Sequence, residues 1–225
     1  ASVTYDSGYG RTGGWGMRVG ASASYWISKS LPTTKSTIIF GSAVKLSALS
    51  NSDQWLMFLE GGIKQLEVRT KTDGSINVYR GITNIASSAG AVISADTWYY
   101  IELKITFSNT VGTIDVKVDG VSRISETSLD TCNTANEYID SIRLYSMGGY
   151  SYFDDLYICD NLGTKNNDFL GDVTITTLYP TSDGNSSDFT PSTGSDNYAM
   201  LDEAQSGGTT DATASTTTSH KPSYV

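Results

Sequence analysis

Alternation of apolar and polar side chains with a period of two residues is the feature that most constrains the fold of this chain. In the stretch ADTWYYIELKITF, every second position from Tyr99 to Phe107 is apolar, and the intervening positions from Trp98 to Thr106 are mostly polar. Side chains at alternate positions of an extended strand point to opposite faces. The stretch therefore predicts a strand with one face in a core, and TIIFGSAVKL repeats the pattern from Ile38 to Leu46.

Asp-Gly pairs separate several of these alternating segments. Asp73-Gly74 lies between LEVRT and INVYR, and Asp119-Gly120 lies between TIDVKV and SRISET. Such a pair between two alternating runs is typical of a β-hairpin. The run QWLMFLE is apolar at consecutive positions and predicts a strand buried on both faces. Together these segments predict roughly ten or more short strands in one antiparallel β-sandwich.

The charge is unevenly distributed along the 225 residues. Residues 1–159 hold 15 acidic and 13 basic side chains, whereas residues 160–225 hold 9 and 2, which gives a net charge of −9. None of the 15 basic residues belongs to a clustered run of Lys and Arg. We therefore expect neither nucleic acid nor an anionic membrane as a partner. The apolar run from Trp55 to Leu59 is too short to span a bilayer. The sequence starts with Ala-Ser and shows no signal-peptide pattern, which leaves open whether the N-terminus is complete.

Three regions follow from composition. We expect the sandwich to occupy residues 1–165, and residues 166–203 to form a strand-and-loop block that packs on the sandwich or on a neighbour. From Gln205 to Ser223 the chain is nearly all Ser, Thr, Gly, Ala and Asp, too polar to form a core. We interpret residues 204–225 as an extended arm held by neighbouring subunits. Side chains expected to make assembly contacts in the block are Phe169, Leu170, Val173, Ile175, Leu178 and Tyr179.

The order of several motifs resembles a known fold. ADTWYYIELKI, GTIDVKVDG, IDSIRLYS and YFDDLYICD follow one another as in the concanavalin A-like, or laminin G-like, jelly roll. In that fold a W-[YH]-x-[IV]-E strand precedes an [IV]-x-V-x-[IV]-D-G hairpin. FLGDVTITTLYPTSDG followed by NYAMLDE is similar to the C-terminal block of tailed-bacteriophage virion proteins that carry this jelly roll, and the resemblance spans residues 10–203. Members usually begin with a further strand, which we do not find in this sequence.

Catalytic residues are not indicated by the sequence. Glycoside hydrolases of this fold resemble one another in carrying E-x-D-x-x-E on one strand, and this chain lacks that arrangement. Asp154 and Asp155 are adjacent, so on a regular strand they would point to opposite faces and could not flank one glycosidic bond. The single histidine, His220, lies in the polar tail. We therefore predict no enzyme and no catalytic residue.

Binding sites are indicated more weakly. Asp160, Asn161 and Asp168 offer the oxygen ligands that Ca²⁺ prefers, but without EF-hand spacing, and ordinary Asx-turn chemistry is the favoured explanation. No other cofactor is expected. Tyr25, Trp26, Tyr150 and Tyr152 lie near turns and are candidates for stacking on a sugar, although strand aromatics more often pair with one another. Cys132 and Cys159 show no metal or redox spacing, and whether they are bonded stays open.

Taken with the resemblance, these observations lead to one main interpretation and one alternative. The main interpretation is a non-enzymatic structural component of a tailed-phage virion, which decorates or stabilises the capsid surface or forms part of a tail appendage such as a tail fibre. Its partners would be other virion proteins and copies of itself in a trimer or higher homo-oligomer. The alternative is a carbohydrate-binding, lectin-like module that attaches the particle to a host glycan.

Overall fold

The computed structural model describes residues 3–20, 25–50, 53–146 and 149–176, together with residue 182 and the pairs 190–191 and 213–214. Every regular element in this part of the chain is a β-strand. The strands up to residue 159 are β1 (Val3–Asp6), β2 (Gly16–Val19), β3 (Trp26–Lys35), β4 (Thr37–Leu46), β5 (Asp53–Glu60), β6 (Ile63–Thr70), β7 (Ile76–Arg80), β8 (Thr83–Ser87), β9 (Trp98–Thr106), β10 (Gly112–Val118), β11 (Val121–Leu129), β12 (Ile139–Tyr145) and β13 (Ser151–Cys159).

These strands form two antiparallel sheets. The seven-stranded sheet has the order β1-β2-β13-β4-β9-β10-β11, and the six-stranded sheet has the order β3-β12-β5-β6-β7-β8. Neighbours in the sheets come from distant parts of the chain, as where β13 pairs with both β2 and β4. The predicted all-β antiparallel sandwich is confirmed.

The main core lies between the sheets and consists of the inward positions of the alternating segments. Phe58 of the six-stranded sheet packs against Phe107, which follows β9, with ring centroids 5.9 Å apart. Trp55 packs in the same way against Phe153, at 6.5 Å. The predicted inward face of β9, from Tyr99 to Phe107, contacts this core. The side chains from Trp55 to Leu59 are all buried, as predicted from their apolar run.

The hairpin between β10 and β11 turns at the predicted Asp-Gly pair. Asp119 has a φ of 49° and Gly120 a φ of 75°. Two consecutive residues with positive φ form the type I′ turn, whose twist matches that of the flanking strands. The Asp119 carboxylate also accepts a hydrogen bond from the Tyr100 N–H at 2.8 Å, which ties the turn to β9.

The first strand of the seven-stranded sheet differs from the sequence expectation. β1 pairs with β2 in antiparallel register, with Val3 opposite Val19 and Tyr5 opposite Met17. The expectation of a missing first strand is therefore wrong, because four residues at the very start of the sequence already form the edge of this sheet. The pattern was missed since so short a segment shows little alternation.

A second, smaller cluster lies on the outward face of the seven-stranded sheet. Ile39, Ala43, Tyr100 and Tyr157 are buried there. Phe169 and Val173 pack against them from the segment 160–174, which follows β13. The first compact unit of the molecule accordingly spans Ala1–Thr174 and extends beyond residue 165, where the sequence analysis placed the boundary.

Residues Ile175–Val225 form a second compact unit. In it, β14 (Thr190–Pro191) pairs antiparallel with β15 (Thr213–Ala214). The structure also describes Ile175, Thr176 and Ser182 of this unit. The rest of the predicted block from residue 177 to 203, and the rest of the predicted arm 204–225, lie outside the described residues. Within the described residues, no helix has the length and apolarity needed to cross a membrane.

Candidate functional site

Four side chains form a continuous row across the outward face of the seven-stranded sheet. In register, Arg18 of β2 lies beside Tyr152 of β13, Tyr152 lies beside Lys45 of β4, and Lys45 lies beside Trp98 of β9. Their neighbours Val19, Phe153, Val44 and Tyr99 point inward to the core, so alternation directs the four outward. The row thus crosses four adjacent strands.

Tyr152 is the centre of an aromatic group. Its ring centroid lies 5.6 Å from that of Tyr9, in an edge-to-face arrangement, and 6.4 Å from those of Trp98 and Tyr150. Such offset arrangements are the favoured geometry for aromatic pairs. Tyr150 is exposed, while the other three rings are partly exposed. The group therefore presents ring surface to solvent as well as packing on itself.

The two cations of the row each lie against two of these rings. The guanidinium carbon of Arg18 lies 4.4 Å from the ring centroid of Tyr9 and 4.6 Å from that of Tyr150. The Nζ of Lys45 lies 4.5 Å from the Tyr152 centroid and 5.4 Å from the Trp98 centroid. These distances are those of cation–π contacts. We call the six residues Tyr9, Arg18, Lys45, Trp98, Tyr150 and Tyr152 the aromatic–cation row.

The structure divides the four predicted sugar-stacking residues between two sheets. Tyr150 and Tyr152 lie in the aromatic–cation row. Trp26 lies on β3 of the six-stranded sheet, where it stacks on Tyr145 with centroids 5.9 Å apart, and Tyr25 packs against the main core. The four residues therefore do not form one site.

Sequence reasoning missed four members of the aromatic–cation row: Tyr9, Arg18, Lys45 and Trp98. Lys45 and Trp98 fall on the outward face of segments whose alternation was recognised, which is the signal that could have found them. The order of strands in the sheet, which brings residues 18, 45, 98 and 152 into one line, is not visible in a pattern of local alternation.

Next to the row, the pair Asp154 and Asp155 departs from the geometry assumed from the sequence. The register of β13 against β4 shifts between Asp154 and Tyr157, and Asp155 has a φ of 49°. Arg11 contacts both carboxylates: its N–H donates to Asp154 Oδ2 at 2.9 Å, and its Nε pairs with Asp155 Oδ2 at 2.8 Å. The prediction that the two acids point to opposite faces is wrong, because a β-bulge interrupts the alternation.

Arg11 also bonds to residues of the segment 160–174 and so connects that segment to the sheet. Its Nη1 pairs with Asp172 Oδ1 at 2.6 Å, and its Nη2 donates to the Val173 carbonyl at 2.9 Å. Burial alone would lower the pKa of Arg11, but the hydrogen bonds and charges of Asp172 and Asp155 raise it overall. A guanidinium that contacts two carboxylates is held in its charged form, so this residue has a structural role beside the row.

A buried carboxylate completes this region. Glu102 is 1% exposed, and its Oε1 accepts hydrogen bonds from the Tyr157 hydroxyl at 2.5 Å and from the Gly171 N–H at 2.8 Å. Burial raises the pKa of Tyr157, and the hydrogen bond to Glu102 raises it further. The pKa of Tyr100 is also raised, chiefly by burial. Both tyrosines therefore stay protonated at neutral pH and act as donors.

Two of the three predicted calcium ligands form ion pairs with lysines. Asp160 Oδ2 pairs with Lys35 Nζ at 2.6 Å, and Asp168 Oδ1 pairs with Lys104 Nζ at 3.0 Å. The hydrogen bond from Lys35 lowers the pKa of Asp160. Within the described ranges, no group of three or more His, Cys, Asp or Glu side chains is placed to hold a metal ion. The Ca²⁺ site with Asn161 stays a prediction, and an ion there would have to displace both lysines.

The predicted assembly residues have different surroundings. Phe169 and Val173 pack on the second cluster of the same chain. Leu170 and Ile175 are exposed, at 36% and 60%. Leu178 and Tyr179 lie outside the described residues. A role in assembly stays a prediction for all six.

Both cysteines are free thiols in the structure, with Cys132 buried and Cys159 partly buried. Burial raises the pKa of Cys132 to about 11 and also raises that of Cys159. Neither thiol is therefore activated as a nucleophile at neutral pH.

Comparisons with known proteins were made for the sequence and the fold. No protein-family model matches the sequence, and no curated protein matches it. Among solved structures, alginate lyase Aly36B is similar over 64% of this chain and 80% of its own, with a TM-score of 0.45 and 15% identity. The Caenorhabditis elegans galectin LEC-6 is similar over 60% and 90%, with a TM-score of 0.41 and 13% identity.

A third match is the native heptameric SAP-like pentraxin from Limulus polyphemus, over 63% of this chain and 74% of its own, with a TM-score of 0.44 and 12% identity. At such identities these similarities concern the fold alone. The two antiparallel sheets of this chain agree with the predicted β-sandwich. None of the structures named here is a virion protein, so the virion resemblance rests on the sequence motifs.

The comparisons correct one prediction. The chain was predicted not to be an enzyme, and this inference is wrong, because enzymes are among the matching structures. They include the alginate lyase, a GH131 β-glucanase catalytic domain from Podospora anserina, and Trypanosoma rangeli sialidase, of whose length this chain spans 20%.

Proposed function

We propose that this chain is a carbohydrate-binding module and that the aromatic–cation row is its binding surface. The observation that carries the proposal is the row itself. Arg18, Tyr152, Lys45 and Trp98 lie side by side on four adjacent strands, and the rings of Tyr152 and Trp98 are partly exposed. It brings together Tyr150 and Tyr152, the two predicted sugar-stacking residues that share a surface.

The chemistry of the row suits a sugar chain. The C–H face of a pyranose ring is apolar and packs against an aromatic ring, while its polar groups reach to the side. Here Tyr152 and Trp98 offer ring surface, and Arg18 and Lys45 offer donors on both sides of Tyr152. The rings already contact one another and the cations, which limits the side-chain freedom lost on binding.

A glycan array followed by titration calorimetry tests the proposal. We expect a saturable glycan ligand whose affinity falls about tenfold or more in Tyr152→Ala and in Trp98→Ala, because each change removes stacking surface. Trp26→Ala is the matched control, since it removes a large exposed aromatic from the other sheet. Circular dichroism and thermal melting verify that each variant is folded.

Two results would contradict the proposal. One is the absence of any saturable glycan across the array. The other is an equal loss of affinity in Trp26→Ala and Tyr152→Ala. Each positive mixture is also examined by chromatography for shortened glycan, since Asp154 and Asp155 lie close to the row and their side chains face the same arginine.

A second proposal concerns the location of the module on a virus particle. The similarity of FLGDVTITTLYPTSDG and NYAMLDE to tailed-phage virion proteins supports a place on the surface of a capsid or tail, in contact with other virion proteins and with copies of itself. Immunogold labelling of intact particles tests it, and label found only on unassembled protein would count against it. In the structural-component alternative, particles that carry Tyr152→Ala would assemble and attach normally; in the host-attachment alternative, they would assemble but fail to attach.

A further inference from the structure

The two cations of the aromatic–cation row are held in place by aromatic rings. Arg18 lies between the rings of Tyr9 and Tyr150, at 4.4 and 4.6 Å. Lys45 lies against Tyr152 and Trp98. Long cationic side chains on a protein surface usually sample many rotamers, and contact with rings on two sides restricts that freedom. Both charges are therefore positioned before any ligand arrives.

These charges are weakly neutralised by the protein. Among the described residues, no carboxylate lies within 4.0 Å of Arg18, and its buried Nε has no hydrogen-bond partner. Lys45 has one acidic contact, Asp96, at 3.9 Å, and the Asp96 side chain is 78% exposed. By contrast, Arg11, Lys35 and Lys64 each pair with a carboxylate at 2.6 Å. Arg18 and Lys45 thus have weaker acidic contacts than these three cations.

The spacing of the cations matches a chain-like ligand. Arg18 and Lys45 lie on β2 and β4, with β13 between them, so their backbones are separated by two strand spacings, about 10 Å. Tyr152 occupies the space between. A sugar stacked on Tyr152 would therefore have a cation on each side along the direction that crosses the strands.

We infer that the aromatic–cation row binds an anionic glycan through sugar carboxylates, with Arg18 and Lys45 as the residues that determine this specificity. The inference rests on the proposed function, because it concerns the same surface. A planar carboxylate matches the two-pronged donor geometry of a guanidinium, and a lysine ammonium adds a second point of charge. Neutral glycans would stack on the rings but leave both charges without a partner.

The experiment compares glycans that differ only in charge. The full chain is titrated with an oligomer of uronic acids and with the same oligomer after its carboxyl groups have been reduced to alcohols. A sialylated oligosaccharide and its desialylated form make a second pair, which distinguishes a uronate from a sialate as the source of the carboxylate. We expect at least about tenfold tighter binding of one charged member, and weaker binding as salt rises from about 50 to about 500 mM.

Two double variants separate the effect of Arg18 and Lys45 from the effect of total charge. Arg18→Gln with Lys45→Gln should abolish the preference, so that the ratio of the affinities for the charged glycan and its neutral counterpart falls to about one. Lys29→Gln with Arg123→Gln is the matched control, because it removes one Lys and one Arg at exposed positions, on β3 and on the far edge strand β11. The control should retain the preference.

The outcomes also separate this inference from the proposed function. Equal affinity for charged and neutral glycans, both lost in Tyr152→Ala, would overturn the anionic specificity and leave the carbohydrate module in place. Loss of the preference in both double variants would overturn the assignment to Arg18 and Lys45, since it would reflect total charge. If neither member of any pair binds, the anionic specificity is overturned, and the glycan array decides separately whether the proposed function also fails.

Discussion

At the scale of single residues, Glu102 shows how a charge is accommodated on the outward face of a sheet. The carboxylate lies on β9 beneath the segment 160–174 and is almost fully buried. A buried carboxylate is costly unless it is hydrogen-bonded. Tyr157 and the Gly171 N–H provide those bonds, and the Tyr157 hydroxyl accepts in turn from the Leu170 N–H at 3.1 Å. The glutamate therefore depends on both β13 and the segment above it.

Replacing Tyr157 with Phe should destabilise the protein by about 1–3 kcal/mol, because Glu102 and the Leu170 N–H each lose a partner in a buried place. Urea denaturation measures the free energy of unfolding. Tyr5→Phe, at a tyrosine that is 61% exposed, is the control and should change it by less than about 0.5 kcal/mol. In a double-mutant cycle with Glu102→Gln, the two effects should not add; simple additivity would show that the hydroxyl and the carboxylate are not coupled.

Gly41 shows why the ring of Tyr157 can reach Glu102. A Cβ at position 41 would lie 2.1 Å from Cε1 of Tyr157, so a side chain on this residue would occupy the space of the ring. Gly41 also faces Glu102 across the β4–β9 pair. The absence of a side chain on β4 thus makes the contact between β13 and β9 possible, and the sequence alone gives no sign of this.

At the scale of elements, the segment 160–174 covers part of the outward face of the seven-stranded sheet. Phe169 and Val173 pack on the second cluster, and Lys117 of β10 lies 4.2 Å from the Phe169 ring centroid. Trp98 contacts the same cluster and also belongs to the aromatic–cation row. The covered part of the face and the row are therefore adjacent.

Phe169→Ala should destabilise the first unit by about 1–3 kcal/mol, because it removes a partly buried ring from the cluster. Leu162→Ala, at a side chain that is 65% exposed in the same segment, is the control and should have little effect. Urea denaturation gives the stability, and limited proteolysis should show faster cleavage within 160–174. If Phe169 instead makes assembly contacts, the variant would change the oligomeric state in light scattering and leave the stability of the isolated chain unaltered.

The elements also show how far the sequence could predict this structure. Alternation places β4 and β9 with the correct inward faces, and the Asp119-Gly120 turn follows from two neighbouring residues, so these features are local. The bulge at Asp155 is not a local feature, because the Asp155 carboxylate contacts Arg11, which is far away in the sequence. The same holds for the aromatic–cation row, since strand order in the sheet decides which outward residues become neighbours.

At the scale of the whole molecule, the two raised tyrosine pKa values make stability depend on pH. For Tyr100 and Tyr157, burial raises the pKa above the ordinary value of 10.0. Above that value the unfolded chain releases protons that the folded chain retains. The stabilisation that these two tyrosines contribute is therefore fully present below about pH 10 and is lost as the pH rises further. Cys132, whose pKa is raised to about 11, acts in the same direction.

Urea denaturation between about pH 8 and about pH 11 should therefore show a steady loss of stability in the alkaline part of this range. Tyr157→Phe should lose stability less steeply than the unaltered chain, because one of the titrating groups is gone. Tyr5→Phe should follow the unaltered chain. A slope for Tyr157→Phe equal to that of the unaltered chain would show that this hydroxyl does not contribute to the alkaline effect.

The aromatic–cation row lies transverse to the strands and joins four of them that are far apart in sequence. A ligand seated along it would bridge these strands laterally, and they could slide past one another only after the ligand had been released. Tension applied along the strands would then be borne partly by the bound molecule. If such a ligand binds, its occupancy would raise the force needed to separate these strands.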